Sequence, residues 1–302
     1  MRIILTGARG ALGSYVADNL KTNPNVELFG ISRRMADHNE FKFLDADLLD
    51  TNAQKSLIKD IKPDVVIHTA WETTHGSYWH SPENNRWADA SIAMAEQLAL
   101  ESDAYFLFAG TCAECHWDGT PLLPKLYDSE PHTLYGQQKR RVTHHLMGMN
   151  ENGRLNAAVG RIFFPYSERE NKKRVTTYVA EELLSGREIH LRTGDVYRDV
   201  CHTKRVANAF AKMALNKRRG LYNLCSNEPV HLGKFLSDMA DTMGKSGMVT
   251  WDDYSSSEKN AGEPQYITGT CNLPFPLLPA GHNTQMDDIK SFIANLGAEQ
   301  AS

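Results

Sequence analysis

Cysteine is scarce in this chain of 302 residues: five thiols, Cys112, Cys115, Cys201, Cys225 and Cys271. That is too few for a disulfide framework and suits a reducing cytoplasm. Positive charge is not in excess. Lys and Arg total 33 against 37 Asp and Glu, a formal net charge of −4, which argues against a general nucleic-acid or membrane-surface role. No apolar run reaches the roughly 20 residues that span a bilayer. No basic-then-apolar leader precedes the first strand pattern, so the expected location is the cytoplasm. Repeats and low-complexity tracts are also missing. The length suits one large domain, or a large and a small one sharing an interface.

Cys112-Ala113-Glu114-Cys115-His116 has the spacing of c-type haem attachment, and Cys-x-x-Cys alone suggests redox or zinc chemistry. Haem attachment needs export. Zinc needs a second ligand pair, and the other cysteines are scattered singly. The segment follows the apolar run Tyr105-Phe106-Leu107-Phe108 and reads as a loop at the end of a buried strand, so no metal is expected.

Short apolar runs at 2–6, 26–31, 41–44, 64–69, 104–109 and 156–163 alternate with helical patterns near 11–22, 52–60, 84–101 and 135–152. This alternation predicts an α/β fold, a doubly wound parallel sheet of Rossmann-like type. Ligands then gather at the carboxyl ends of the strands, at Thr6-Gly7, Ser32-Arg33, Asp45 to Asp47, His68 to Trp71 and Gly110-Thr111. After residue 164 the pattern loosens into helices near 174–185, 203–215 and 231–243 and strands near 188–191 and 221–224. Residues 250–285, rich in Pro, Gly, Ser and Asn, read as loop, before a short helix near 286–296. The expected division is a dinucleotide-binding domain over 1–164, with 196–228 returning to it, and a looser substrate lobe over 165–195 and 229–302.

Two constellations carry chemistry. In Thr6-Gly7-Ala8-Arg9-Gly10-Ala11-Leu12-Gly13, glycines spaced by three sit between a strand and a helix. Glycine permits a tight turn and a close backbone approach, and the helix that follows offers its N-terminal N–H groups to a diphosphate. The second is Tyr135-Gly136-Gln137-Gln138-Lys139, whose Tyr and Lys share one face of a helix. A tyrosine of pKa ~10 is a poor acid–base catalyst at neutral pH, and lowering it ~3 units takes ~4 kcal/mol. A unit charge ~4 Å away supplies about that much at an effective dielectric near 20. A surface Tyr–Lys pair is the plain alternative, and the glycine turn weighs against it.

Together these residues resemble the extended short-chain dehydrogenase/reductase family of nucleotide-sugar epimerases, dehydratases and 4-ketoreductases. The first turn matches the family's T-G-x-x-G-x-x-G. Asp47-Leu48 matches the acidic residue that contacts the adenine, and His68-Thr69-Ala70-Trp71 matches the H-x-A segment beside the nicotinamide ribose. Thr111 matches the catalytic Ser/Thr, and Leu134-Tyr135-Gly136 leads into Y-x-x-x-K. Gly160 to Phe164 and Arg198-Asp199 match later landmarks. The resemblance makes Tyr135 the general acid/base, Lys139 its ribose-holding partner and Thr111 a hydrogen-bonding group for the reacting sugar oxygen. It assigns Gly7, Arg9, Gly10, Ala11, Leu12, Gly13, Ser32, Arg33, Arg34, Asp47, Leu48, Thr69, Ala70 and Trp71 to the cofactor. Thr73, Tyr78, Trp79, Cys112, Phe164, Arg174 and Arg198 would meet substrate. For His68 the alternative is a satisfied strand-end histidine, and for Arg198 a salt bridge to an acid.

The departures narrow the reading. Cys115 stands where the family has tyrosine, Trp87 in the place of a helix asparagine, and Arg205 in that of an aspartate. An acid at the end of the second strand would bind an NAD ribose; Ser32-Arg33-Arg34 stands there instead, and guanidinium groups suit a 2′-phosphate. The Asp-Glu pair of the dehydratases is missing after Thr111, where Glu114 comes one residue late. The wording around Thr111 looks most like 4-ketoreductases of the CDP-abequose and TDP-fucose synthase kind. The expectation is therefore NADP(H)-dependent reduction of a nucleotide-activated 4-keto-6-deoxy sugar. An NAD(H)-dependent epimerase is the alternative, and a non-catalytic dinucleotide sensor is the reading from another class. By the same resemblance the chain is expected to pair as a homodimer through helices near 84–101 and 135–152, with Ile92, Ala95, Leu98 and Leu146 on the shared face.

Overall fold

The first apolar run becomes β1 (Arg2–Thr6), and its last four residues are buried because both faces of the strand are covered. The computed structural model describes residues 1–32, 41–254, 263–278 and 284–301. Along the first half follow α1 (Ala11–Leu20), β2 (Glu27–Ser32), β3 (Lys42–Asp45), α2 (Thr51–Ile61), β4 (Val65–His68), α3 (Glu83–Glu101), β5 (Tyr105–Thr111), α4 (Leu134–Glu151) and β6 (Asn156–Ile162). The second half holds β7 (Phe164–Tyr166), α5 (Val175–Leu184), β8 (Ile189–Leu191), β9 (Tyr197–Arg198), β10 (Val200–His202), α6 (Thr203–Leu215) and β11 (Gly220–Leu224). It ends with β12 (Val230–His231), α7 (Leu232–Thr242), β13 (Val249–Trp251), β14 (Tyr266–Ile267) and α8 (Thr284–Ala301).

The chain divides into two units. The first comprises Met1–His116, Pro124–Ile162 and Lys204–Leu224. Its seven strands are all parallel and run in the order β11-β6-β5-β4-β1-β2-β3. The order reverses between β1 and β4, the position at which doubly wound sheets bind ligands. Central strands read as continuous apolar runs because helices cover both faces; all seven residues of β5 are buried. Leu57 and Ile58 of α2, Met94, Ala95 and Leu98 of α3 and Val142 and Leu146 of α4 join Ile4, Val66, Phe106 and Phe108 in one core. This corrects the reading of Ala95, Leu98 and Leu146 as an interface face: all three are spent inside the unit's own core, and Ile92 packs on its margin. Polar pairs lace α3 to α4 outside that core, with Arg141 on Asp89 at 2.7 Å and His145 on Glu96 at 2.8 Å.

The second unit comprises Trp117–Leu123, Phe163–Thr203 and Cys225–Ser302. Residues 117–123, 163–164, 196–203 and 225–228, expected in the first domain, fall here; β9 pairs with β12 and β14, and β10 with β7. A further pair joins β13 to β8. Helices α5, α7 and α8 enclose Tyr166, whose ring lies 5.3 Å from Phe292 and 5.6 Å from Phe235. The segment read as loop holds β14, and the terminal helix runs longer than expected, over Thr284–Ala301. Two-residue strands carry no period for a sequence pattern to show.

The turn into α1 depends on the missing side chain of Gly13: a Cβ there would lie 2.1 Å from the Gly7 carbonyl oxygen. Gly13→Ala is expected to lower stability by about 1–3 kcal/mol, as overpacking does, read as a lower urea midpoint with an unchanged slope. Gly148 of α4, with nothing within 4 Å of its built Cβ, is the control. Gly148→Ala should stabilise by about 0.5–1 kcal/mol through helix propensity alone.

Candidate active site

The glycine turn packs tightly against the residues after β4 and leads into α1. Gly7 takes φ +68°, and a Cβ on it would meet Ala70 N and Thr69 Oγ1, each at 2.8 Å. Gly10 N donates to Gly7 O at 2.9 Å and closes the turn. Gly10 caps α1 without a side-chain acceptor, and no acid stands in the first turn. The leading N–H groups of α1 are thus left for an outside acceptor, with the positive end of the helix dipole behind them. Arg9 is exposed on this turn, and Ala11 and Leu12 are half-buried. These features fit a dinucleotide diphosphate.

Beside it, the ends of β1 and β4 are bolted together. Ser91 Oγ donates to Trp87 O at 2.7 Å, so it accepts from His68 Nε2 at 2.8 Å. His68 Nδ1 then accepts from the Thr6 hydroxyl at 2.8 Å, while Ala70 N donates to Thr6 Oγ1 at 3.2 Å. Thr69 Oγ1 donates to Thr6 O at 2.7 Å. Burial, and secondarily the Lys139 charge, push His68 down to about 3. This neutral ring, bonded on both sides, is a structural bracket. Ser32 ends β2 in register with Asp45 of β3; Arg33 and Arg34 lie outside the described residues. Asp47 is exposed and accepts from Leu49 N at 3.0 Å, and Leu48 is buried.

Helix α4 brings up the acid–base pair. Thr133 caps it, accepting from Gly136 N at 3.1 Å. The bare Gly136 lets the first turn lie against the short 3-10 turn Cys112–Glu114: a Cβ there would be 2.1 Å from Ala113 O. Tyr135 N donates to Trp79 O at 3.0 Å, and the Tyr135 ring meets Tyr78, Trp79 and Trp71 edge-on at 5.0, 5.6 and 6.4 Å. Trp71 is fixed by its Nε1 donating to Asn84 Oδ1 at 2.8 Å, and Asn84 Nδ2 donates to Tyr78 O and Ser81 O.

Lys139 is buried, and among the described residues no carboxylate is paired with it. Its Nζ donates to Ala109 O at 2.8 Å and lies 3.9 Å from the centre of the Trp71 ring and 4.5 Å from that of Phe108. Burial pulls its pKa down to about 7, with the Glu114 charge opposing. Thr111 is buried at the end of β5, where its Oγ1 accepts from Ala113 N at 3.2 Å.

Several sequence-predicted residues are engaged elsewhere. Glu114 pairs with Arg161 at 2.8 Å, both buried, so it is no free acid. Cys112 and Cys115 are buried, and burial pushes Cys115 up to about 12. No group of three or more metal-ligating side chains occurs among the described residues. Thr73 is exposed in the loop after β4. Phe164, Arg174 and Arg198 belong to the second unit. There Arg198 donates to the Tyr197 and Gln265 carbonyls, both at 2.9 Å, and to Glu263 at 3.2 Å, and it lies 5.5 Å from the Phe164 ring. This is the salt-bridge alternative, with Glu263 as the acid. Arg174 pairs with Glu170 at 3.0 Å. Sequence reasoning missed Asn84 and Ser91, polar residues on α3 whose partners lie far away in the chain.

The profile of the NAD dependent epimerase/dehydratase family matches residues 3–225. The methionine adenosyltransferase 2 subunit beta of Xenopus laevis is 29% identical over 254 residues, covering 80% of this chain and 71% of that one. The protein of the same name from Xenopus tropicalis is 33% identical over 175 residues, and the match spans about half of it, 48%. Among solved structures, UDP-glucose 4-epimerase of Thermotoga maritima with UDP-glucose superposes with TM-score 0.81 at 17% identity, covering 100% of both chains. UDP-glucuronic acid 4-epimerase of Bacillus cereus, in complex with UDP-glucuronic acid and NAD, superposes with TM-score 0.77 at 18% identity over 99% of both.

Because the folded Lys139 pKa lies near 7, below the 10.5 of a solvated lysine, the fold disfavours its protonation. The penalty is fully present below about pH 7 and is relieved as pH climbs toward 10.5. Lys139→Met, which keeps the stem and drops the charge, is expected to raise Tm more at about pH 6 than at about pH 9.5. Equal shifts at the two pH values would refute the burial of an unpaired ammonium.

Proposed function

Because the chain belongs to the NAD dependent epimerase/dehydratase family, we propose that it performs NAD(P)-dependent oxidation and reduction of a nucleotide-activated sugar, with Tyr135 as acid and base. The observation that carries this reading is the buried Lys139 ammonium on the same helix face, 5.9 Å from the Tyr135 ring centre. Tyr135 would move the proton of the sugar hydroxyl, and Thr111 would orient that oxygen. When bound, a nicotinamide would supply the hydride acceptor or donor. The stacked Tyr78 and Trp79, ring centres 4.5 Å apart, offer an apolar shelf for the sugar.

Epimerisation leads the possible reactions. The 4-epimerase neighbours support it, and Asp45 beside Ser32 gives a carboxylate near the expected ribose. Reduction of a 4-keto sugar rests on the absence of an acid at Ser32 and on the Arg33-Arg34 pair that follows. Dehydration is disfavoured, since Glu114 is spent on Arg161. A non-catalytic dinucleotide-binding subunit is the second reading, supported by the curated relatives, which are named as subunits of an adenosyltransferase. A homodimer belongs to the proposal as well, now without Ala95, Leu98 and Leu146 as its basis.

One experiment separates these readings. The purified protein is denatured and any released dinucleotide identified; NADH and NADPH are titrated into the native form; turnover is assayed on a panel of nucleotide sugars. Retained NAD with epimerised product supports epimerisation. Exchangeable NADPH, preferred over NADH by at least about 1–3 kcal/mol, supports reduction. Cofactor binding without turnover on the panel supports the subunit. Given turnover, Tyr135→Phe should cost two to four decades in kcat, on the scale of lost acid–base catalysis, with cofactor affinity nearly kept. A variant that turns over normally rejects the assignment of Tyr135.

A further inference from the structure

Two cysteines far apart in sequence meet in the second unit. Cys225 follows β11 and is buried; Cys271 is half-exposed. A Cβ on Gly269, two residues before Cys271, would lie 3.1 Å from the Cys225 sulfur, and hydrogen bonding from the Cys225 side chain and from the Cys225 and Leu273 backbones favours the Cys271 thiolate. Asn227 holds both residues from a left-handed conformation, φ +64°. Its Oδ1 accepts from Cys271 N at 2.7 Å, and its own N–H donates to the Cys225 sulfur. The segment carrying Cys271 is pinned on its other edge, with Leu122 N donating to Thr268 O and Thr270 N to Leu122 O, both at 2.9 Å.

We propose that Cys225 and Cys271 form a redox-active pair that closes reversibly to a disulfide, with Cys271 as the attacking sulfur. Three donors converge on Cys271, one of them the partner thiol. Burial and the Asp199 carboxylate oppose its ionisation, yet the donors prevail and hold it below the ordinary thiol range. Asp199 itself accepts from Ser226 N at 2.6 Å. Cys225, buried and donating, is pushed up. The pair is thus a half-exposed thiolate backed by a buried thiol, the pattern of an attacking and a resolving cysteine. The Cys112–Cys115 spacing that suggests redox chemistry in the sequence lacks this: both are buried, and Cys115 is held as a thiol.

The co-reactant is a peroxide. The Cys271 thiolate attacks one oxygen of hydrogen peroxide; an S–O bond forms, the O–O bond breaks, and hydroxide leaves to become water. The Cys225 sulfur then attacks the sulfenic sulfur. The S–S bond forms, the S–O bond breaks, and the departing hydroxide takes the Cys225 proton as a second water. Two electrons leave the two thiols and reduce the peroxide; a dithiol reverses the change. The product ties the 268–271 segment covalently to the residue after β11.

The test uses the full reduced chain at neutral pH with a small excess of hydrogen peroxide, quenched with N-ethylmaleimide and mapped without reduction. The expected result is a linked Cys225–Cys271 peptide pair and an intact mass lower by about 2 Da, both reversed by dithiothreitol. Iodoacetamide labelling of Cys271 should show a midpoint below the about 8.5 of an ordinary thiol. Cys225→Ala should leave a Cys271 sulfenic acid that dimedone captures; the wild-type map stands without that variant should it fold poorly. Overoxidation of Cys271 without a link, a link through another cysteine, or a labelling midpoint near 8.5 would each overturn the proposal.

Discussion

The buried ammonium of Lys139 organises the candidate site. An ammonium in a low-dielectric interior ordinarily takes a carboxylate partner. Here the neighbours are the Ala109 carbonyl at the end of β5 and the faces of Trp71 and Phe108. Aromatic faces and a carbonyl stabilise a cation less than a carboxylate does, and Lys139 is pulled to about 7 as a result. A carboxylate would hold the ammonium permanently charged and compete for its donors. Without one, the lysine keeps donors and a proton affinity that an incoming polar ligand can claim.

That arrangement also explains the surrounding packing. Trp71 covers Lys139 with its indole N–H held by Asn84, and Asn84 in turn binds the Tyr78 and Ser81 carbonyls. In the same loop, Trp79 O accepts from the Tyr135 N–H of α4. Tyr135 is therefore positioned twice, through its backbone and through the rings of Tyr78 and Trp79. Gly136 completes the fit by letting α4 lie on the Ala113 carbonyl. In this setting Tyr-Gly-x-x-Lys is a packing requirement as well as a chemical pair.

The glycine turn, the alternating strands and the Tyr–Lys pair were legible because each is written in contiguous residues with a fixed period or spacing. The seven-strand sheet followed from them. Asn84, Ser91 and the Glu114–Arg161 pair were not legible, since their meaning lies in partners distant along the chain. The interface reading of Ala95, Leu98 and Leu146 failed for a related reason: an apolar stripe does not say whether its cover is the same chain or another. The second unit was the least legible part. Its strands of two or three residues are too short to show alternation, and they hold through pairing with segments far away, as β14 does with β9.

Reaction type is written in fewer residues than fold. With Glu114 committed to Arg161, the end of β5 offers Thr111 without a second free acid beside it. What remains is a hydroxyl, a phenol and an ammonium, sufficient to move one proton while a hydride moves elsewhere. On the proposed function, use of that capacity once per cofactor or repeatedly would depend on how firmly the cofactor is held at the β2 and β3 ends. Ser32 supplies no charge there, while Asp45 stands in register beside it. A carboxylate favours a ribose hydroxyl and repels a phosphate, whereas arginines do the reverse. On the proposed function, the balance between Asp45 and the arginines after Ser32 would bear on turnover as much as on cofactor identity.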